Sequence, residues 1–168
     1  MAKNIVLCGF MGCGKTTVGE NLRRKLGVNL IDTDSYIEKN EGMTISEIFE
    51  KHGESYFRDL EHKACKELSE KKGIIISTGG GALTFERNVE VLKKTGTIVL
   101  IDVPLDVLKE RLSGDKSRPL LQREDKDKAM QELYDKRMPL YKNAADIVID
   151  GNNSPLQVAM SIINATKI

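Results

Sequence analysis

A chain of 168 residues has room for one hydrophobic core, and 40% apolar with 30% charged residues is an ordinary composition for a soluble domain. A net charge of +1 excludes a nucleic-acid binder working by bulk electrostatics, and no apolar run approaches the roughly 18 residues of a membrane span. Cys8, Cys13 and Cys65 are odd in number and, with two histidines in no ligand spacing, speak against structural zinc; they read as reduced apolar filler in a cytoplasmic protein.

In chain order, Asn4-Ile5-Val6-Leu7-Cys8 is a short run of strand type, and a strand this early leaves no expected room for a signal peptide. It leads into Gly9-Phe10-Met11-Gly12-Cys13-Gly14-Lys15-Thr16, which fits the phosphate-binding pattern G-x-x-x-x-G-K-[ST]. Thr17 to Leu26 follows with Val18, Leu22 and Leu26 on one helical stripe, so strand, glycine loop and helix stand in the order the motif requires. Glycines let backbone N–H groups turn toward phosphate oxygens, and the helix N-terminus adds a favourable dipole. Lys15 is expected on the β/γ-phosphates and the Thr16 hydroxyl on Mg²⁺, which predicts a nucleoside triphosphate as ligand.

The second strand, Val28 to Ile31, ends in Asp32-Thr33-Asp34. If the strand continues, carboxylates at i and i+2 point the same way, one to hold Mg²⁺ through water and one to accept a hydroxyl proton. The plain alternative is that Asp34 or Ser35 caps the next helix, and Asp102, ending the fourth strand, competes for the metal. From Ser35 to about Lys72, two or three helical patterns stand where one crossover helix would do. Within them, Thr44-Ile45-Ser46-Glu47 is a capping box, and Phe57, Leu60, Ala64 and Leu68 form a buried stripe. Arg58 and Glu61 are helical neighbours off that stripe and read, by themselves, as a solvated surface ion pair.

The third strand, Ile74 to Ile76, runs into Gly79-Gly80-Gly81, where three missing Cβ atoms would let a ligand lie against the backbone. After the fourth strand, Ile98 to Ile101, Pro104 suits the first turn of a helix carrying Leu105, Leu108 and Leu112. Ser113 to Lys128 is a charged segment expected to act as a mobile lid, with Arg118 on it; Arg137 comes late in the next helix. A guanidinium on a lid is a group that phosphoryl transfer uses to stabilise charge on the moving phosphate. A fifth strand, Ile147 to Ile149, precedes Ser154-Pro155-Leu156-Gln157, an N-cap with proline at the first helical position. The alternation predicts an α/β fold on a mostly parallel, two-sided sheet, and without repeat or linker residues 1–168 form one domain.

Taken together, Asp32-Thr33-Asp34, Phe57-Arg58 with Glu61, Gly79-Gly80-Gly81, Arg118-Pro119-Leu120-Leu121, and Arg137 with Pro139-Leu140-Tyr141 resemble the shikimate kinases from about Asn4 to Ile163. The resemblance implies a three-layer fold similar to nucleoside monophosphate kinases, with a five-stranded parallel sheet, a substrate-binding insertion at about 35–72 and a lid at about 113–128. It implies transfer of the γ-phosphate of ATP to the 3-hydroxyl of shikimate, in the route to chorismate and the aromatic amino acids. Asp34 would then meet the shikimate hydroxyls and serve as base, Arg58 and Arg137 would hold the carboxylate, and Gly79, Gly80 and Gly81 would lend backbone. Gly12, Cys13, Gly14, Lys15, Thr16 and Thr17 would hold the ATP phosphates together with Arg118, and Asp32 would support Mg²⁺ through water beside Thr16. Adenine would pack between Arg111 and the loop Asn152-Asn153-Ser154-Pro155, where Asn153 stands at a position that is arginine in many relatives.

The chemistry of the residues agrees. Shikimate carries one carboxylate, which planar arginines recognise by two bonds, and gathered cations are expected to keep Asp34 ionised. The expected ligands are shikimate, ATP and Mg²⁺, with no nucleic acid, membrane or obligate protein partner, and the chain is expected to be a monomer. The rival readings are a P-loop kinase for gluconate or a nucleotide, a GTP switch (Asn-Lys-x-Asp is absent), and a pseudo-enzyme, against which Lys15, Thr16, Asp34 and Arg118 speak.

Overall fold

Strand β1 (Asn4–Cys8) is buried along its whole length, as an apolar run with neighbours on both edges and both faces must be. In this computed structural model, which describes residues 3–113 and 125–167, β1 pairs in parallel with β3 (Ile75–Ser77) on one side and β4 (Gly96–Asp102) on the other. Addition of β2 (Leu30–Asp32) and β5 (Ile147–Asp150) gives an all-parallel sheet in the order β2-β3-β1-β4-β5. Asn4 fixes the β1–β3 entry: its side-chain amide donates to the Lys71 carbonyl (2.8 Å) and accepts from the Ile74 N–H (3.0 Å). An amide can satisfy a donor and an acceptor at once, which is why a buried polar residue is tolerated there.

Helices cover the sheet in a three-layer α/β sandwich. Helix α1 (Lys15–Leu26) packs on α7 (Pro155–Thr166), and α4 (Glu86–Thr95) packs on α3 (Ile45–Ser69) and β4. Between β2 and β3 stand α2 (Thr33–Glu41) and α3, the latter broken at Gly53 (φ 84°, ψ 176°), so the segment holds three helical stretches. They carry a small core of their own around Ile37, Ile48, Phe57 and Ala64. The capping boxes at Thr44/Glu47 and Ser154/Gln157 are both formed. Helix α5 (Leu105–Leu112) follows β4, and α6 (Lys126–Ala144) leads to β5.

Three local readings change. β2 starts at Leu30 and stops at Asp32, because the Asp32 carboxylate accepts the Ser35 N–H (3.0 Å) and starts α2 at Thr33. The cap is therefore Asp32 rather than Asp34 or Ser35, and no continuing strand aligns the two carboxylates. Pro104 is itself the N-cap of α5, one position ahead of the first turn. Residues 126–128, expected to end the lid, belong to α6. Arg118 and the rest of 114–124 lie outside the described residues.

Candidate active site

Three hollows adjoin at the carboxyl ends of the strands, where open parallel sheets place their ligands. A hollow of about 280 Å³ lies between the glycine loop and the start of α7, walled by Arg111, Gly151, Asn153 and Pro155. A central one of about 370 Å³ lies over Gly12 to Thr16, with Asp32, Asp34 and Ser77 to Gly80 opposite. The third, about 240 Å³, is walled by Phe49, Phe57, Arg58, Glu61, Gly81 and Arg137. Lys15 and Asp34 face both the central and the third hollow, so an amine and a carboxylate stand where the two meet.

The glycine loop owes its shape to backbone conformation. Gly12 (φ 83°) and Gly14 (φ 96°) occupy the left-handed region that a side chain disfavours. Gly14 is the N-cap of α1, and no side chain bonds the first amides of that helix, which leaves its positive end open to an anion. Lys15 Nζ reaches across the loop and donates to the Gly9 carbonyl (2.8 Å). Thr16 lines the central hollow, whereas Thr17 is exposed and lines none of the three. Arg111 donates to the Gly12 carbonyl (3.2 Å) and the Gly151 carbonyl (3.1 Å), clamping the glycine loop to the loop before α7. Asn153 folds back, its amide donating to the Asp150 carbonyl (3.4 Å). Asp32 lines the central hollow; Asp102, the competing acidic residue, does not.

The far side is assembled from distant elements. Asp34 comes from the first turn of α2, Arg58 from α3 beyond the Gly53 break and Arg137 from α6, and all three converge on Gly79-Gly80-Gly81. A Cβ at Gly79 would stand 2.6 Å from Asp34 Oδ1, one at Gly80 2.6 Å from Arg137 Nη1, and one at Gly81 2.5 Å from Arg58 Nη1. None of the three has a positive φ. What glycine supplies here is space, one functional side chain per missing Cβ. The Gly79 N–H is already given to Thr33 Oγ1 (2.9 Å), so that amide is engaged within the protein.

Burial pushes the Asp34 carboxyl from its ordinary 3.8 up to about 6; nearby Asp32 adds to the rise, and Lys15 and Arg58 only partly oppose it. The cationic neighbours favour the ionised form as expected, but burial outweighs them. The shift brings it closer to the range where a carboxylate exchanges protons efficiently near neutral pH.

The Arg58–Glu61 pair is not a solvated one. Arg58 Nη1 lies 3.0 Å from Glu61 Oε1, and the Glu61 side chain is 1% exposed. Burial pushes the Glu61 carboxyl upward against the pull of Arg58. The guanidinium also sits 5.3 Å from the Phe57 ring centre and 5.1 Å from that of Phe85. A carboxylate and two rings thus fix the guanidinium in place, with a remaining edge facing the third hollow.

Two supports were not expected from sequence. Tyr141, one turn after Arg137, donates its hydroxyl to the Gly80 carbonyl. Their i, i+4 spacing on a helix was the readable signal. Asn88 donates to the Ala82 carbonyl (2.9 Å), and its Oδ1 lies 2.9 Å from His62 Nδ1, which holds the 3-10 turn Ala82–Thr84 just after the glycines. Nothing in the sequence pairs residues that far apart.

Among proteins of known family, the model for "Shikimate kinase" matches residues 11–167 of this chain. A shikimate kinase of Thermodesulfovibrio yellowstonii is 48% identical over 162 residues, covering 96% of this chain and 93% of the relative. The solved shikimate kinase of Acinetobacter baumannii in complex with shikimate superposes with a TM-score of 0.91 at 39% identity, covering 99% of this chain and 94% of that one. A gluconokinase from Sinorhizobium meliloti superposes with a TM-score of 0.65 at 16% identity, covering 99% and 92%, a likeness of fold alone.

Proposed function

The chain belongs to the shikimate kinase family, and from that premise we propose that its three joined hollows hold the adenosine, the phosphates and the shikimate of one transfer step. The reaction moves the γ-phosphate of ATP to the 3-hydroxyl of shikimate, giving shikimate 3-phosphate and ADP. In this reading adenine lies between Arg111 and the Asn153–Pro155 loop, and the phosphates lie on the amides of Gly12 to Thr17 with Lys15 on the β/γ-phosphates. Shikimate fills the third hollow, its carboxylate on Arg58 and Arg137, its ring against Phe49 and Phe57, its reacting hydroxyl toward Asp34. The observation that carries the reading is the junction: Lys15 and Asp34 face both hollows, so a phosphate from one side and a hydroxyl from the other meet between them.

Asp34 accepts the hydroxyl proton as the oxygen attacks phosphorus, and its raised pKa suits that acceptance. Lys15 stabilises the charge on the transferring group by position rather than by covalent chemistry. Magnesium fits the oxygen donors present: the Thr16 hydroxyl, and Asp32, one of whose oxygens takes the Ser35 N–H while the other is left for a metal-bound water. When bound, Mg²⁺ neutralises the phosphate charge that the protein's own cations do not. Arg118 is assigned to the phosphates on the sequence resemblance, as is a covering role for the segment that carries it, and residues 35–72 are assigned as the shikimate-binding insertion. All assigned groups belong to one chain, so the proposed step needs no second copy; the three cysteines are free and buried, in keeping with a reducing cytoplasm. Among the described residues, no helix is long and apolar enough to cross a membrane.

The test is ATP consumption with shikimate, gluconate and nucleoside monophosphates offered in turn. Turnover is expected with shikimate only. Comparable rates with another acceptor would overturn the assignment of the third hollow.

A further inference from the structure

Tyr141 is 1% exposed, and its ring is among the largest fully buried side chains of the protein. Its hydroxyl donates to the Gly80 carbonyl, and the charge of the Arg137 guanidinium acts on the same oxygen. Gly80 is the glycine whose missing Cβ makes room for Arg137, and a Cβ there would also stand 3.9 Å from the Tyr141 oxygen. One phenol therefore touches both the backbone and the side chain that border the third hollow on this side. Arg137 and Tyr141 lie four apart on α6, on one face, so the helix holds the guanidinium and the phenol in register.

We propose that Tyr141 is a positioning residue for carboxylate recognition, setting the rotamer of Arg137 and the peptide plane of Gly80 before shikimate arrives. This rests on the reading of Arg137 and Gly80 as shikimate contacts given above. A core phenylalanine would fill the same space, so packing does not require the oxygen; the hydrogen bond to Gly80 and the contact with the Arg137 charge do. Fixing the donor side of the bond in advance matters because a free arginine loses rotamer entropy on binding, and a pre-set one does not. The phenol can serve as donor throughout the working range, since burial pushes its pKa up to about 12 against the pull of Arg137. Arg58 on the opposite wall is fixed by Glu61 and two rings instead, so each arginine has its own support.

Tyr141→Phe removes the oxygen and keeps the ring. The expected result is a KM for shikimate raised about fivefold to tenfold, the loss of roughly one neutral hydrogen bond, with the KM for ATP changed less than about twofold. In an Arg137→Ala background, which by itself must raise the KM for shikimate, Tyr141→Phe should add no more than about a further twofold. Placing 4-aminophenylalanine at position 141 restores an N–H donor to the Gly80 carbonyl and should recover most of the loss, which also covers the case in which phenylalanine disturbs folding. Three results overturn the proposal: an unchanged KM for shikimate in Tyr141→Phe, equal rises for both substrates, or the same fold-rise with and without Arg137. If Arg137→Ala alone leaves the KM for shikimate unchanged, it is the underlying site reading that fails.

Discussion

At the end of the cleft assigned to the nucleotide, Gly12 and Gly14 adopt φ angles of 83° and 96°; at the end assigned to the acceptor, Gly79, Gly80 and Gly81 have no positive φ and are crowded. The first pair is glycine for the sake of the backbone, with Gly12 also close against Leu112, and the second trio is glycine for the sake of its neighbours alone. The nucleotide end is accordingly a contiguous stretch that shapes itself. The acceptor end exists only when α2, α3 and α6 have docked against the loop after β3. Damage to the first should act through backbone conformation and phosphate charge, and damage to the second through the placement of separate side chains.

The largest stated fall in turnover that bears on this contrast is expected from Lys15→Ala, which removes the one charged side chain of the loop that faces both hollows. Turnover should fall by about 10²–10³, from ~3–4 kcal/mol of lost charge stabilisation, with the thermal midpoint unchanged. Near-normal steady-state turnover would remove the glycine loop from the chemistry. Next come Arg58→Ala and Arg137→Ala. Each should weaken shikimate binding by about 10- to 100-fold, from ~1.5–3 kcal/mol of charge-assisted bonding, and leave ATP binding unchanged in calorimetric titrations of both ligands. A collapse of ATP affinity with intact shikimate affinity would mean the two ends have been assigned the wrong way round.

The sharpest test uses the same substitution at both ends. An alanine Cβ at Gly14 would meet only Val18, at 3.9 Å, so Gly14→Ala isolates backbone strain and should cost about 1–2 kcal/mol of stability in denaturant unfolding. Gly80→Ala has no such strain and presses chiefly on the far end of the Arg137 side chain; it should leave stability within ~0.5 kcal/mol and raise the KM for shikimate about tenfold. Equal stability losses in the two variants would erase the distinction.

A last test concerns Asp34 as a charge stored in the fold. Its folded pKa of about 6 lies above its ordinary 3.8, so the folded state binds the proton more tightly than the unfolded one. The resulting contribution to stability is complete below pH 3.8 and is lost as pH rises through about 6. In metal-free buffer at pH 7.5 or so, Asp34→Asn should therefore stabilise the protein by about 1–3 kcal/mol while abolishing transfer, and the gain should vanish near pH 4. A loss of stability at neutral pH would place Asp34 among groups that hold the acceptor end together rather than strain it.

The same division decided what could be read from the residues alone. Gly9 to Thr16, the strand runs and the two capping boxes are local, and their chemistry depends on neighbours a few positions away. The Asp32–Asp34 pair was legible as two carboxylates at a strand end, but which of them caps α2 depended on where β2 stops. Arg58 and Glu61 were legible as neighbours; that the pair is buried follows from Phe85 and Gly81, which arrive from elsewhere in the chain. The rise in the Asp34 pKa could not be anticipated by counting nearby cations, because its largest cause is burial. The glycine trio invited a ligand; its packing against three of the protein's own side chains is a tertiary fact.

The pairing of the sheet has a consequence for how the chain is made. Ile5 pairs with Ile75 and with Thr97, Leu30 with Ile75, and Val99 with Ile147, so the sheet contains no hairpin and each ladder waits for a large loop to close. β1 is synthesised first, yet both its edges belong to strands that leave the ribosome much later. At about 5–20 residues per second, a strand with four apolar residues in a row and two open edges persists for several seconds of translation. The strand that leads into the glycine loop stays exposed to aggregation until β3 and β4 have both been delivered.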